Sequence, residues 1–310
     1  MNKCVLVADL GGTKIAAARV ISDGRISDVV KTATPPEGGD AVVQALLELL
    51  SGLPGKGVHT VGVAVPGLAY PGGEVWAPNI RGWERMPLGA ILKRHFRMPA
   101  LVESDRNACI MGEAWRGAAR NCRDAVFVAV GTGIGAGIIS GGSLLRGHAG
   151  LAGCLGWVTV RRTPSRSLAD SERSAEDTAA GPAIGRAATR LWGESTSARD
   201  VVARARRGDR AAVRLLAEAG RDLGVALAGV VSILNPEIIV IGGGVASAGS
   251  LLLSPARETM KRLAQPLAAR QVRVVRSKLG ARAGLLGMAR MALDAEAGRV
   301  RPGFSRIPES

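Results

Sequence analysis

Aromatic side chains are scarce in this 310-residue chain, at 3% of the total. A core without them must be built from Ala, Val, Leu and Ile. The composition, 47% hydrophobic and 22% charged, is nonetheless that of a soluble globular protein. Cysteine is also sparse: Cys4, Cys109, Cys122 and Cys154 form no CxxC pair. With His59, His95 and His148 scattered, no metal-ligand spacing emerges, and free thiols in a reducing compartment are expected. Long apolar runs are missing too. None reaches the roughly 18 residues of a membrane span, which excludes a membrane partner of that kind. The N-terminal stretch enters a strand within three residues, leaving no room for a signal peptide, so a cytoplasmic location is expected. Acidic residues are outnumbered, 26 against 41 basic, giving a net charge of +15. The basic residues are dispersed, as in Arg161-Arg162 and Arg204 to Arg207, and lack interleaved aromatics. A solvated Arg-rich surface explains them better than specific nucleic-acid binding.

What the chain has in abundance is glycine at the ends of apolar runs. Cys4 to Leu10 reads as a strand, stops at Gly11-Gly12-Thr13-Lys14, and resumes as Ile15 to Ile21, the pattern of a hairpin. Glycine there lets backbone N–H groups approach a phosphate, Thr13 and Lys14 add a hydroxyl and a charge, and Asp9 offers an oxygen to Mg²⁺ through water. The alternative is an ordinary hairpin turn. Asp124 to Val130 repeats the logic, running into Gly131-Thr132-Gly133-Ile134-Gly135 and a second strand-like run. A dinucleotide motif would lead into a helix instead. Glu237 to Ile241 is a third strand, closed by Gly242, Gly243 and Gly244, a run that admits adenine and ribose against the backbone. Further strands are read at 58–65 and 272–275, and helices at 40–50, 88–95, 198–207, 210–234 and 283–295. A helix over 175–191 breaks near Gly181-Pro182, 73–83 and 161–174 read as loops, and 298–310 as a loose tail. Strands alternating with helices define an α/β protein, and two strand–glycine–strand units suggest a pseudo-repeat.

The stretch Glu103-Ser104-Asp105-Arg106-Asn107-Ala108-Cys109 stands where the strand-like Ala100 to Val102 meets a helix at 108–115. Asp105 reads there as a helix N-cap or as a general base facing a crevice at the strand ends. The glycine turns elsewhere favour the second.

Taken together these pieces resemble the ROK family of bacterial sugar kinases and regulators, within the actin/hexokinase-like ATPase fold. The resemblance rests on Asp9-x-Gly11-Gly12-Thr13-Lys14, Val65-Pro66-Gly67, Pro78-Asn79 with Trp83 and Pro87-Leu88, and Asp105-x-Asn107-Ala108. It continues in order through Gly131 to Gly135, Glu176 with Gly181-Pro182, and Ile239 to Gly244, spanning residues 3 to 295. It implies two actin-like (ribonuclease H-like) α/β domains around a central cleft, with expected bounds of 1–115, completed by the helix at 283–297, and 116–282. It further implies ATP with Mg²⁺, phosphoryl transfer to a sugar hydroxyl, and a homodimer. Asp105 matches the catalytic base; Asp9, Gly11, Gly12, Thr13, Lys14, Thr132, Gly133, Gly242, Gly243 and Gly244 match the nucleotide side. Gly67, Asn79, Ser104, Asp105, Trp157 and Glu176 fall where the family lines its sugar pocket. The family's repressors carry a DNA-binding segment before the first glycine motif, which here begins at residue 9, so the repressor branch is not expected.

The departures are informative. Ser104-Asp105 replaces the family's Asn-Asp, and Gly153-Cys154-Leu155-Gly156-Trp157 replaces Gly-Glu-x-Gly-His. That histidine is a zinc ligand in the family, and the cysteines that accompany it are absent from 161–175. A tetrahedral set cannot be completed, so no zinc is expected. Trp157 reads as a plate for a sugar face or as a plug for the missing zinc lobe. For Glu176 the simpler reading is a first-turn acid of a helix. The expected function is ATP-dependent phosphorylation of a hexose or modified hexose (an amino or deoxy sugar), with the family pointing to the 6-hydroxyl. The alternative is a non-catalytic sugar or nucleotide sensor that kept the fold.

Overall fold

The structure, a computed structural model, describes residues 3–162 and 172–296. The expected tail at 298–310 and most of the expected loop at 161–174 lie outside them. The chain forms two compact units. One is made from residues up to Asn121, from Leu144–Ala152 and from Ala281 onward; the other comprises Cys122–Ser143 and Gly153–Gly280. Set beside the expected bounds, residues 116–121 and the segment Leu144–Ala152 fall with the first unit.

In the first unit, β1 (Cys4–Leu10), β2 (Lys14–Ile21) and β3 (Ile26–Ala33) form an antiparallel meander. Helix α1 (Gly39–Ser51) crosses to β4 (Val58–Val65), a two-stranded hairpin of β5 (Leu68–Ala69) and β6 (Val75–Trp76) follows, and α2 (Leu88–Phe96) crosses to β7 (Ala100–Ser104). The sheet order is β3-β2-β1-β4-β7, with β4 parallel to both β1 and β7. β1 is apolar along almost its whole length because both of its faces are covered. β3 escaped the sequence reading because an edge strand carries polar residues such as Ser27, Lys31 and Thr32 among its apolar ones. The stretch 73–83, read as a loop, contains β6. Helix α3 (Asp105–Arg116) follows β7 without an intervening loop residue.

The second unit repeats the plan. β8 (Ala125–Val130), β9 (Ile134–Ser140) and β10 (Ser143–Leu144) are followed by the small pair β11 (Thr159–Arg162) and β12 (Glu172–Ser174). Helices α4 (Ala175–Ala179), α5 (Gly181–Trp192), α6 (Ala198–Arg206) and α7 (Arg210–Leu234) lead to β13 (Ile238–Gly242). Then come α8 (Ser250–Leu263), α9 (Pro266–Gln271) and β14 (Arg273–Arg276). The order β10-β9-β8-β13-β14, again with the last two strands parallel to the first, matches the sheet of the first unit. The run after Gly131 is a strand, as read. Both cores are aliphatic, and Trp83 is the large aromatic fully buried in the first.

A C-terminal helix, Ala283–Glu296, closes the first unit by packing along α3. The approach is possible because both helices present glycine: a Cβ at Gly112 would collide with the Ala283 carbonyl, and one at Gly287 with the Ala108 carbonyl. Neither obstacle is a flexible side chain, so the helices would have to part. Gly287→Ala is therefore expected to lower unfolding stability by about 2–3 kcal/mol, as overpacking against backbone does. A urea midpoint equal to wild type would show that the helices do not meet this closely.

Candidate active site

In the first unit the acids gather at one edge of the sheet. Asp9 is the penultimate residue of β1, and Asp105 directly follows β7. Because β1, β4 and β7 run parallel, both strand ends point the same way, where ligands bind open α/β sheets. Burial first and then Asp105 raise the Asp9 carboxyl, Lys14 pulls against both, and together they leave it at about 7. The Asp105 carboxyl is also raised, by burial first; the N–H and charge of Arg106 oppose this. Asp105 is not the N-cap. That position belongs to Ser104, whose hydroxyl makes no capping bond, while Asp105 Oδ1 accepts from the Arg106 N–H at 2.7 Å. Cys109, one turn further along α3, has its thiol raised well above the ordinary value by burial and then by Asp9, Asp105 and Glu113. It stays a neutral thiol.

The β1–β2 turn beside Asp9 is pinned from β3's end. Gly11 N–H donates to the Lys14 carbonyl at 2.9 Å, and the Thr34 hydroxyl donates to the Gly11 carbonyl at 2.7 Å. Gly12, Thr13 and Lys14 are exposed. Gly67 is held by a different constraint: a Cβ there would collide with the Trp76 carbonyl, so its glycine serves the β5–β6 hairpin. Asn79 is exposed on the loop that follows.

In the second unit the β8–β9 turn is closed by Gly131 N–H to the Gly133 carbonyl at 2.9 Å. Gly181 N–H, at the start of α5, donates to the Gly131 carbonyl at 2.8 Å. Glu176 lies on α4, whose N-terminus is capped reciprocally by Ser174 and Asp177. Its Oε2 accepts from the Ile134 N–H at 2.8 Å, which binds α4 to the glycine turn. The first-turn reading of Glu176 was thus correct about its position but missed this bond. Gly243, at φ 88°, takes the backbone past the Val130 carbonyl and sets the Gly242–Gly244 turn beside the Thr132–Gly133 turn. Gly12, Gly131 and Gly244 differ from these: a side chain at any of them would meet no protein atom within 4 Å. At each of the three positions the space that a Cβ would fill is open, which leaves room for phosphate to come close. Within the second unit a depression of about 530 Å³ opens beside the Gly131 turn, lined by Gly181, Gly185, Arg186, Thr189, Thr196 and Ala198. Trp157 is 85% exposed and fills no interior space. Among the described residues no group of three or more His, Cys, Asp or Glu could hold a metal ion, and all four cysteines are free.

Sequence reasoning missed Arg146 and the part played by Glu103. Arg146 donates through Nε to Glu103 Oε2 at 3.0 Å. An acid in an otherwise apolar strand was the available signal; its partner lies in a loop and gave none.

Two matching sheets with paired glycine turns define a protein of the actin-like ATPase class. The ROK family profile matches residues 5–295, and the chain belongs to the ROK family. It is 33% identical over 308 residues to a glucokinase of Thermotoga maritima, covering 93% of this chain and 97% of that one. It is 35% identical over 292 residues to the bifunctional enzyme NanE/NanK of Brucella melitensis, covering 93% of this chain and 54% of the other. The crystal structure of a ROK family glucokinase from Streptomyces griseus in complex with glucose and AMPPNP superposes with a TM-score of 0.80. The identity is 31%, over 95% of this chain and all of that one.

Asp9 makes stability depend on pH. Its folded-state pKa lies above the unfolded value, so the ligand-free protein loses stability as pH rises from about 4 through 7. Asp9→Asn should therefore unfold at higher urea than wild type at about pH 8, with the gap closing below about pH 4. A gap that does not change with pH would contradict this assignment.

Proposed function

We propose that this ATP-dependent sugar kinase phosphorylates a hexose or modified hexose at its 6-hydroxyl, with Asp105 as general base. The observation that carries the reading is the carboxyl of Asp105 at the β7–α3 corner, at the strand ends where ligands bind such sheets, with burial raising it above the usual carboxylate range. Phosphoryl transfer asks for positioning and charge stabilisation more than covalent chemistry. Backbone N–H groups of Gly12–Lys14, on the turn that Gly11 closes, and of Thr132–Gly133 would hold phosphate oxygens, Lys14 would add charge, and the Gly242–Gly244 turn and the adjoining depression would take the nucleoside. Asp9 fits as an oxygen donor to Mg²⁺ through water; the ion, when bound, neutralises charge on the phosphates. Gly67, Asn79, Ser104, Trp157 and Glu176 would face the sugar. The glucose and AMPPNP bound to the Streptomyces griseus relative support both halves of this reading.

Ser104, Cys154 and Trp157 remove hydrogen-bonding groups that the family uses, and unpaired polar groups cost binding. Plain glucose is therefore proposed to bind worse than in typical relatives, with an amino or deoxy sugar as the altered acceptor. Without the zinc-site histidine and its cysteines, the protein is proposed to carry no zinc, and metal analysis of the purified protein checks this. We also propose a soluble cytoplasmic homodimer with no nucleic-acid partner; light scattering tests the dimer.

The deciding experiment is an ADP-release screen over hexoses, amino sugars and N-acetyl sugars. Turnover with at least one acceptor is expected, and Asp105→Asn should lower kcat by about 100-fold or more while leaving ATP bound. Saturable sugar binding without ADP release would favour the sensor reading instead. If Asp105→Asn turned over like wild type, the base would have to be another group.

A further inference from the structure

Glu103 and Arg146 have no part in the reaction as described above, yet they pair at the corner that carries its base. The Glu103 side chain is on the strand just before the corner, and the residue is 5% exposed. Both carboxylate oxygens are engaged. Oε1 accepts from the Ser104 backbone N–H and from the Asn107 side-chain amide, each at 3.0 Å. Oε2 accepts from Arg146 Nε at 3.0 Å and lies 2.8 Å from a second guanidinium nitrogen. A carboxylate so far from water is tolerated only when it is paired and hydrogen-bonded. Arg146 belongs to the Leu144–Ala152 segment, and a second tie holds that segment to the corner, from the Arg106 guanidinium to the Gly150 carbonyl at 3.3 Å.

The donors on Oε1 flank Asp105 on either side, one at the residue before it and one two residues after it. Ser104 occupies the cap position of α3 but does not cap it. Glu103 instead ties the cap residue's N–H to the Asn107 side chain in the first turn. The Ser104 hydroxyl, in a residue 1% exposed, has no hydrogen-bond partner among the described residues. A buried hydroxyl left unpaired costs stability, so one found beside a candidate base suits a ligand that supplies the missing partner.

We propose that Glu103 and Arg146 are positioning residues for the transfer reaction, holding the β7–α3 corner so that Asp105 meets the acceptor hydroxyl and Ser104 Oγ stays available to the sugar. The proposal rests on the kinase reading of the site. An ion pair with a structural role only would lower thermal stability without touching the chemistry of the folded enzyme.

Kinetics and hydrogen exchange separate these. Arg146→Met leaves a charged carboxylate stranded at the corner. It should lower kcat about 30-fold while the KM for ATP stays within about twofold, because the glycine turns are untouched. Adding Glu103→Gln removes the stranded charge and keeps an oxygen for Ser104 N–H and Asn107, so kcat should recover by about fivefold or more. Unchanged kcat in the folded single variant, or a double variant worse than the single one, overturns the proposal. Should Arg146→Met not fold, Glu103→Gln alone decides: a lower kcat at constant ATP KM supports it, and an unaltered kcat overturns it. Amide exchange at 104–108 in the ligand-free protein needs no turnover. Faster exchange in Arg146→Met, reversed by Glu103→Gln, supports the proposed hold on the corner, and unaltered exchange overturns it. If wild type phosphorylates no sugar, the kinase reading fails by itself while exchange still reports on the pair.

Discussion

The first unit depends on keeping carboxyl groups out of water at the ends of parallel strands. Desolvation is the largest cause of the raised Asp9 and Asp105 carboxyls, ahead of any charge nearby. Such sites cost folding energy in the absence of ligand, because the charged form is disfavoured until a cation or a proton arrives. The surroundings are arranged to bear that cost. The C-terminal helix packs against α3 through glycine, its Gly284 lies against the Asp9 carboxylate, and Glu103 with Arg146 stiffens the corner from behind.

The glycines divide into two sorts that look alike in sequence. Those at Gly67, Gly242 and Gly243 are demanded by the protein's own backbone or, for Gly242, by the Phe127 ring. Those at Gly12, Gly131 and Gly244 face open space, so nothing within the fold forbids a side chain there. An open face matters only if something else comes close, and a turn without a side chain in the way lets an anion approach the backbone. The second unit braces one such turn twice, through Gly181 N–H and through Glu176.

Much of this was legible beforehand because it is local. Apolar runs ending in Gly-Gly, Gly-Thr-Gly and Gly-Gly-Gly marked β1, β8 and β13 and their turns, and the spacing of Val43, Leu46, Leu47 and Leu50 marked the buried face of α1. The edge strand β3 was not legible, since it lacks the continuous apolar signal of a central strand. The start of α3 was read three residues late, because Asp105 and Asn107 look like turn residues until the Asn107 amide is seen to bond Glu103.

The amino-acid sequence alone determined the α/β class, the duplicated strand–glycine–strand plan and the candidacy of Asp105, since each follows from residue type and short-range spacing. Tertiary structure decided which acids share an environment and which arginine answers a buried glutamate. It also decided which glycines are open to a ligand and which are closed by neighbouring backbone. Those are relations between residues far apart in the chain, and their energies arise from burial and dielectric surroundings that exist only once the sheets have formed.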